Sequence, residues 1–178
     1  MIRMFVPNQR VQSIYDIDLQ ALHNAGIRGI ITDLDNTLVK TREPIADERV
    51  EAWFAKLLTE GFKVVIVSNN SHHRVSRFSH PLEIPYIHKA RKPLRTGFRR
   101  SLRMLGLEAQ QVAMVGDQLL TDVFGGNRMG MYTILVHPVS LEGEKMVTRF
   151  NRKIEKVAIR QLRKRGLFPT IEQKEDQA

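Results

Sequence analysis

Two carboxylates two residues apart stand directly after an apolar run, where Gly29-Ile30-Ile31-Thr32 leads into Asp33-Leu34-Asp35-Asn36-Thr37-Leu38. On a strand, residues two apart face the same way. Once the chain turns into a loop after Asp33 that rule lapses, and both acids can converge on one ligand. An aspartate can attack a phosphoryl group and carry it as an aspartyl-phosphate, while a second acid in reach protonates the leaving oxygen and then activates water. Thr37 could hold a phosphoryl oxygen through its hydroxyl and backbone N–H. A lone Asp-x-Asp is more often a loop of turn-forming residues, so the reading depends on what else the chain supplies.

Three further stretches supply it. Val64-Val65-Ile66-Val67 runs into Ser68-Asn69-Asn70, where Ser68 could bond a phosphoryl oxygen and Asn69 position the nucleophile or the substrate; the alternative is an ordinary strand-to-loop turn. Lys92-Pro93 puts an ammonium just before a helix-starting proline, where it can reduce the repulsion between a phosphate and an attacking carboxylate, although an isolated Lys-Pro is usually surface. Val112-Ala113-Met114-Val115 delivers Gly116-Asp117, and Asp122 follows one helical turn on. Carboxylates gathered beside a phosphate repel it and one another unless a hard cation intervenes. Mg²⁺, which takes one or two carboxylates plus phosphate and water oxygens, fits that need.

In order, Asp33-x-Asp35-x-Thr37, Ser68, Lys92 and Gly116-Asp117-x-x-x-x-Asp122 resemble the four motifs of the haloacid dehalogenase (HAD) superfamily of phosphatases. The resemblance implies Asp33 as nucleophile, Asp35 as general acid and base, and Ser68 and Lys92 as phosphoryl and charge stabilisers. It further implies a Mg²⁺ ion held by Asp117, a carboxylate oxygen of Asp33 and the backbone carbonyl of Asp35, with Asp122 in support. An acid at position 35 argues against dehalogenation, since phosphoryl transfer needs the proton shuttle. More narrowly, Ser13-Ile14-Tyr15-Asp16-Ile17-Asp18-Leu19, Lys92-Pro93 with Gly97-Phe98, and Gly116-Asp117-Gln118-Leu119-Leu120-Thr121-Asp122 look like the YqeG group of class IIIA HAD phosphatases, over Met1 to Leu167. That group is related to mitochondrial and plastid phosphatases of phosphatidylglycerophosphate, which by analogy alone brings a lipid phosphate forward as substrate.

The elements that must position these residues alternate between strand and helix. Asp16 to Ala25 reads as a short helix ended by Gly26, Gly29 to Leu34 as the first strand, and Asp47 to about Glu60 as a helix burying Val50, Phe54, Leu57 and Leu58, with Trp53 as core. Strands follow at Lys63 to Val67, Val112 to Val115 and Tyr132 to Val136, with a helix over Pro93 to Leu105. The pattern predicts an α/β, Rossmann-like three-layer sandwich with a mainly parallel sheet, where ligands bind beyond the carboxyl ends of the strands. The stretches Leu38 to Lys63 and Asn70 to Arg91 are each too short for a large cap domain, so the site is expected to be open and to suit a phosphate on something bulky. Gly125 and Gly126 are read as permitting a bend, Asn127 as packing under the site, and the adjacent His72 and His73 as surface or rim imidazoles.

The 178 residues contain no cysteine and carry a formal charge of +9. Disulfides and thiolate metal sites are excluded, and one domain over residues 1–170 is expected. The sequence shows no signal-peptide core and no run near the ~20 apolar residues of a membrane span. The expected location is therefore cytoplasmic, or peripheral at the inner membrane surface. Ser71 to Arg103 and Lys145 to Arg165 each hold nine Lys or Arg against a single Glu, so these two segments own the basicity. The second is predicted to be a basic helix over about 145–165 with Met146, Val147, Phe150, Ile154, Val157, Ala158 and Leu162 as its apolar stripe. That helix could pack on its own domain, reach an anionic membrane or bind RNA; residues 171–178 read as a disordered tail. The leading reading is a Mg²⁺-dependent phosphomonoester hydrolase acting on a lipid phosphate such as phosphatidylglycerophosphate. The alternatives are a phosphatase for a soluble sugar or nucleotide phosphate, and an RNA- or ribosome-binding protein with a structural Mg²⁺ site.

Overall fold

The β-branched runs of the sequence lie side by side in the computed structural model, which describes residues 2–144 and 146–171. Strands β1 (Gln9–Val11), β2 (Gly29–Thr32), β3 (Lys63–Val67), β4 (Tyr86–Ile87), β5 (Val112–Gly116) and β6 (Tyr132–Val136) form one sheet in the order β1-β6-β5-β2-β3-β4. Every pairing is parallel. From β2 the chain runs outward through β3 to β4, then crosses back to place β5 on the other side of β2. The β2/β5 boundary is thus a topological switch point, with a crevice beyond its carboxyl ends.

Parallel sheets are covered on both faces, and the central strands are accordingly apolar along their whole length. Ile30, Val64, Ile66, Ala113 and Val115 point to one face, beneath α1 (Leu19–Asn24), α2 (Glu48–Thr59) and α3 (His72–Ser79), where they meet Leu22, Phe54, Leu57 and Phe78. Their neighbours Ile31, Val65, Val67 and Met114 point the other way, against Phe98 and Leu105 of α4 (Arg95–Leu105). This is the three-layer α/β sandwich that the alternation implied.

Several boundaries differ for local reasons. Helix α1 begins at Leu19 because Asp18 caps it, accepting from Ala21 N–H at 3.0 Å, while Asp16 bonds Ser13 N–H at 2.8 Å in the preceding turn. In α2, Val50, Trp53, Phe54 and Leu57 make the buried stripe at three- and four-residue steps, and Leu58 falls beside it, 52% exposed. Helix α4 starts at Arg95 rather than at Pro93. The short helix α5 (Phe124–Asn127) carries Gly125 and Gly126. An added Cβ there would come within 2.6 Å of the Phe98 ring and 2.7 Å of Thr133 respectively, so these glycines allow close packing rather than a bend. Asn127 donates to the carbonyls of Met4 and Val6 at 2.8 and 2.9 Å, fastening the first residues rather than packing under the crevice.

Helix α6 (Met146–Lys164) spans nearly the whole expected basic segment. Its packed face is Leu162 with Ala158 and Ile159, set on Leu119, Val123 and Leu135. Most of the expected apolar stripe faces outward: Met146, Val147, Phe150, Ile154 and Val157 are all exposed. Arg152 and Glu155 take the inward positions instead, because both have ionic or hydrogen-bonding partners at the sheet end. Among the described residues no helix is long and apolar enough to cross a membrane. All of the expected tail except Ile171 lies outside the described residues.

Candidate active site

Asp33 leaves β2 with its N–H still donating to Val115 O at 2.9 Å, so the sheet ladder fixes its backbone. The chain then turns sharply: Asn36 adopts a left-handed conformation (φ 66°), and its N–H closes on Val39 O at 2.7 Å. That turn separates the two acids. Asp33 points down to Lys92, whereas Asp35 points out to Asn70 and Arg74. On the neighbouring strand end, Asp117 is followed by one π-helical turn over Leu119–Val123. Such turns recur at functional sites, and here the turn brings Asp122 back so that its Oδ2 accepts Gln118 N–H at 3.1 Å.

Lys92 links the two sides. Its Nζ lies 2.6 Å from Asp33 Oδ1 and 2.8 Å from Asp122 Oδ1, with all three side chains buried. Asn69 holds Lys92 in place, accepting from its N–H at 2.7 Å and donating to its carbonyl at 3.1 Å. The amide expected to position the nucleophile or substrate lines the cavity and also clamps the lysine. Ser68 follows β3 directly and lines the cavity; its Oγ accepts from Asn70 N–H at 3.1 Å, and its own proton has no acceptor among the described residues. Thr37 is buried, and its hydroxyl donates to Asp117 Oδ1 at 3.1 Å. It orients that acid rather than facing the cavity.

Burial pushes the Asp33 carboxyl up to about 8, against the pull of Lys92 and with the help of Asp122 and Asp117. Asp117 is likewise pushed up to about 6 by burial, opposed by Arg152 and reinforced by Asp122. Burial disfavours the Lys92 charge, yet Asp122 and Asp33 outweigh it and the ammonium is held above the usual lysine range. Oxygens of Asp33, Asp117 and Asp122 all lie within 4.8 Å of one another. A set of hard carboxylate oxygens, two of them too poorly compensated to ionise at their ordinary pH, suits a divalent cation of the Mg²⁺ kind. The Asp35 side chain lies outside this trio, engaged instead by Asn70 and Arg74.

Four polar residues to which the sequence assigned no individual role lie beside the acids. Asn70 Nδ2 donates to Asp35 Oδ2 at 3.0 Å, and Arg74 of α3 pairs with Asp35 Oδ1 at 2.9 Å. Arg152 of α6 pairs with Asp117 Oδ2 and with Glu144 Oε1, the latter at 2.7 Å. Glu144 in turn accepts from Asn36 Nδ2 at 3.1 Å. Nothing distinguishes Arg152 from its many basic neighbours in sequence, and only proximity to Ser68 could have flagged Arg74. The cavity, about 240 Å³, is lined by Asp33, Asp35, Ser68, Lys92, Glu144 and Val147 among others. The expected open mouth therefore has one wall, built by the start of α6. His72 turns aside to Tyr86, at 3.1 Å from its hydroxyl, and neither it nor His73 lines the cavity.

A buried aspartate on a lysine at the switch point of a parallel sheet, with two further acids beside it, defines a phosphatase of the HAD type. The chain belongs to the family described as mitochondrial PGP phosphatase, whose pattern matches residues 2–140. It is 46% identical over 164 residues to the probable phosphatase YqeG of Bacillus subtilis (strain 168), covering 92% of this chain and 95% of that protein. It is 30% identical over 173 residues to the chloroplastic phosphatidylglycerophosphate phosphatase 1 of Chlamydomonas reinhardtii, covering 92% of this chain and 64% of the algal protein. Among solved structures, the cobalt-bound deoxy-D-mannose-octulosonate 8-phosphate phosphatase YrbI of Haemophilus influenzae superposes with a TM-score of 0.52 at 18% identity, over 82% of this chain and 95% of that one. That likeness is one of fold.

Proposed function

We propose that the protein hydrolyses a phosphomonoester through a phospho-Asp33 intermediate, with phosphatidylglycerophosphate as substrate. The Asp33 carboxylate attacks phosphorus while protonated Asp35 gives its proton to the departing oxygen; Asp35 then takes a proton from the water that attacks phospho-Asp33, releasing phosphate and restoring the Asp33 carboxylate and the Asp35 acid. Lys92 and the Ser68 hydroxyl are placed to bond the phosphoryl oxygens, and Asn69 keeps Lys92 there. Asp33, Asp117 and Asp122 would hold Mg²⁺, which when bound neutralises charge on the phosphoryl group. The observation that carries this reading is the convergence of Asp33, Lys92, Asp117 and Asp122 at the β2/β5 switch point. The lipid substrate draws on the phosphatidylglycerophosphate phosphatases among the relatives and on a mouth without a cap domain.

The test is a screen of lipid, nucleotide, sugar and nucleic acid monophosphates with Mg²⁺, run on the wild type and on Asp33→Asn. The wild type should release phosphate fastest from phosphatidylglycerophosphate. The amide removes the nucleophile at nearly constant volume, so turnover should drop at least about 10³-fold with the melting temperature nearly unchanged. Full activity in Asp33→Asn would refute the mechanism, and preference for a soluble phosphate would refute the substrate.

A further inference from the structure

Helix α6 has three faces. At about 100° per residue, the buried Glu155 and Leu162, with the half-buried Asn151, Ala158 and Ile159, fall on one arc against the domain. Met146, Val147, Phe150, Ile154 and Val157 fall on a second, together spanning about 100° of the wheel. These side chains stand in solvent, Met146 at 85% and Phe150 at 63% exposure. Scattered exposed hydrophobics need no explanation, but an apolar stripe along a helix marks a surface that is covered by something. The third arc carries Arg149, Lys153, Lys156 and Arg160, all exposed, and the helix's one carboxylate, Glu155, is buried.

An apolar stripe beside a band of unopposed cations selects its occupant by charge. A second copy of the helix would bring cation band against cation band. RNA would satisfy the cations and leave the stripe wet. An anionic lipid bilayer satisfies both, taking the apolar side chains below the headgroups and the cations among them. The stripe is also continuous with the catalytic cavity, because Val147 belongs to both. We propose that α6 is an interfacial helix by which the protein lies on an anionic bilayer, with the mouth of the catalytic cavity at headgroup level. The orientation, though not the binding, rests on reading that cavity as the phosphatase site.

The test is flotation of the full chain with phosphatidylcholine vesicles, with and without phosphatidylglycerol, alongside hydrolysis of p-nitrophenyl phosphate. Two variants alter exposed positions outside the cavity: Phe150→Ser/Ile154→Ser/Val157→Ser, and Lys153→Gln/Lys156→Gln/Arg160→Gln. The wild type should float with the anionic vesicles only. The Ser variant should stay in solution, and the Gln variant should bind about a hundredfold more weakly, at about fivefold per cation removed. Both variants should hydrolyse the soluble ester as the wild type does. Equal partition onto neutral vesicles, flotation of the Ser variant, or no flotation of an active wild type would overturn the proposal. So would tight RNA binding in a gel shift, lost in the Gln variant, from a protein that ignores vesicles. A wild type that floats but leaves every phosphomonoester intact would overturn the phosphatase site and keep the docking surface.

Discussion

Asp35 is fixed from two sides, by Asn70 Nδ2 on Oδ2 at 3.0 Å and by Arg74 on Oδ1, through Nε at 3.1 Å and Nη2 at 2.9 Å. A proton shuttle gains from such restraint, because catalytic groups lose effectiveness when displaced by even a fraction of a bond length from the reacting atom. Asp35→Asn keeps the volume and leaves an amide oxygen for Arg74, yet an amide neither gives nor takes the proton. Turnover of an alkyl phosphate should fall about 10²- to 10⁴-fold. An activated aryl phosphate, whose leaving group departs with little help, should lose much less. Parallel kinetics on the two substrates check this, and equal losses on both would remove Asp35 from proton transfer.

The turn that follows β5 depends on a glycine. An added Cβ at Gly116 would fall inside contact distance of the Asp122 carboxylate, so Gly116→Ala must push Asp122 away from Lys92 and from the other two acids. We expect a stability loss of about 1–3 kcal/mol from overpacking and a higher Mg²⁺ requirement for half-maximal activity. Thermal melts and a Mg²⁺ titration of activity measure both; no change in either would mean that the close approach carries no weight. The sequence makes Asp33, Ser68, Asp117 and the central strands legible because each acid or hydroxyl ends an apolar run, and such runs have few other places to go in an α/β chain. Strands β1 and β4, of three and two residues, are too short to show a period. Helix α3 is nearly all polar, with Val75 and Phe78 as its buried apolar residues. The partners of the acids are hidden for a different reason. Arg74 lies 39 residues from Asp35 and Arg152 lies 35 from Asp117, so only the folded chain shows which of many cations meets which carboxylate. The outward stripe of α6 follows in part from the same fact, since the polar anchors Arg152 and Glu155 share its inward side with Ala158, Ile159 and Leu162.

Across the whole molecule, the acids gathered beyond one end of the sheet tie stability to pH and to metal. When no cation is bound, burial sets Asp33 at about 8, Asp117 at about 6 and Glu155 at about 7. A carboxyl raised above its ordinary value holds its proton more tightly in the folded chain than in the unfolded one. Its contribution to stability is then complete below the ordinary value and is lost as pH rises through the folded one. The stability contributed by these three carboxyls in the metal-free protein should therefore fall from about pH 4 to about pH 8. A divalent cation requires the ionised carboxylates, so it competes with those same protons and stabilises most where they have left. Excess Mg²⁺ should accordingly raise the melting temperature more at about pH 8 than at about pH 5. In Asp117→Asn the shift should shrink at both, because one oxygen ligand has been replaced by a weaker amide. Melts with Mg²⁺ and with chelator at the two pH values provide the measurement. A shift as large in acid as in alkali would mean that the cation binds away from the raised acids, and a full shift in Asp117→Asn would take that residue out of the metal site.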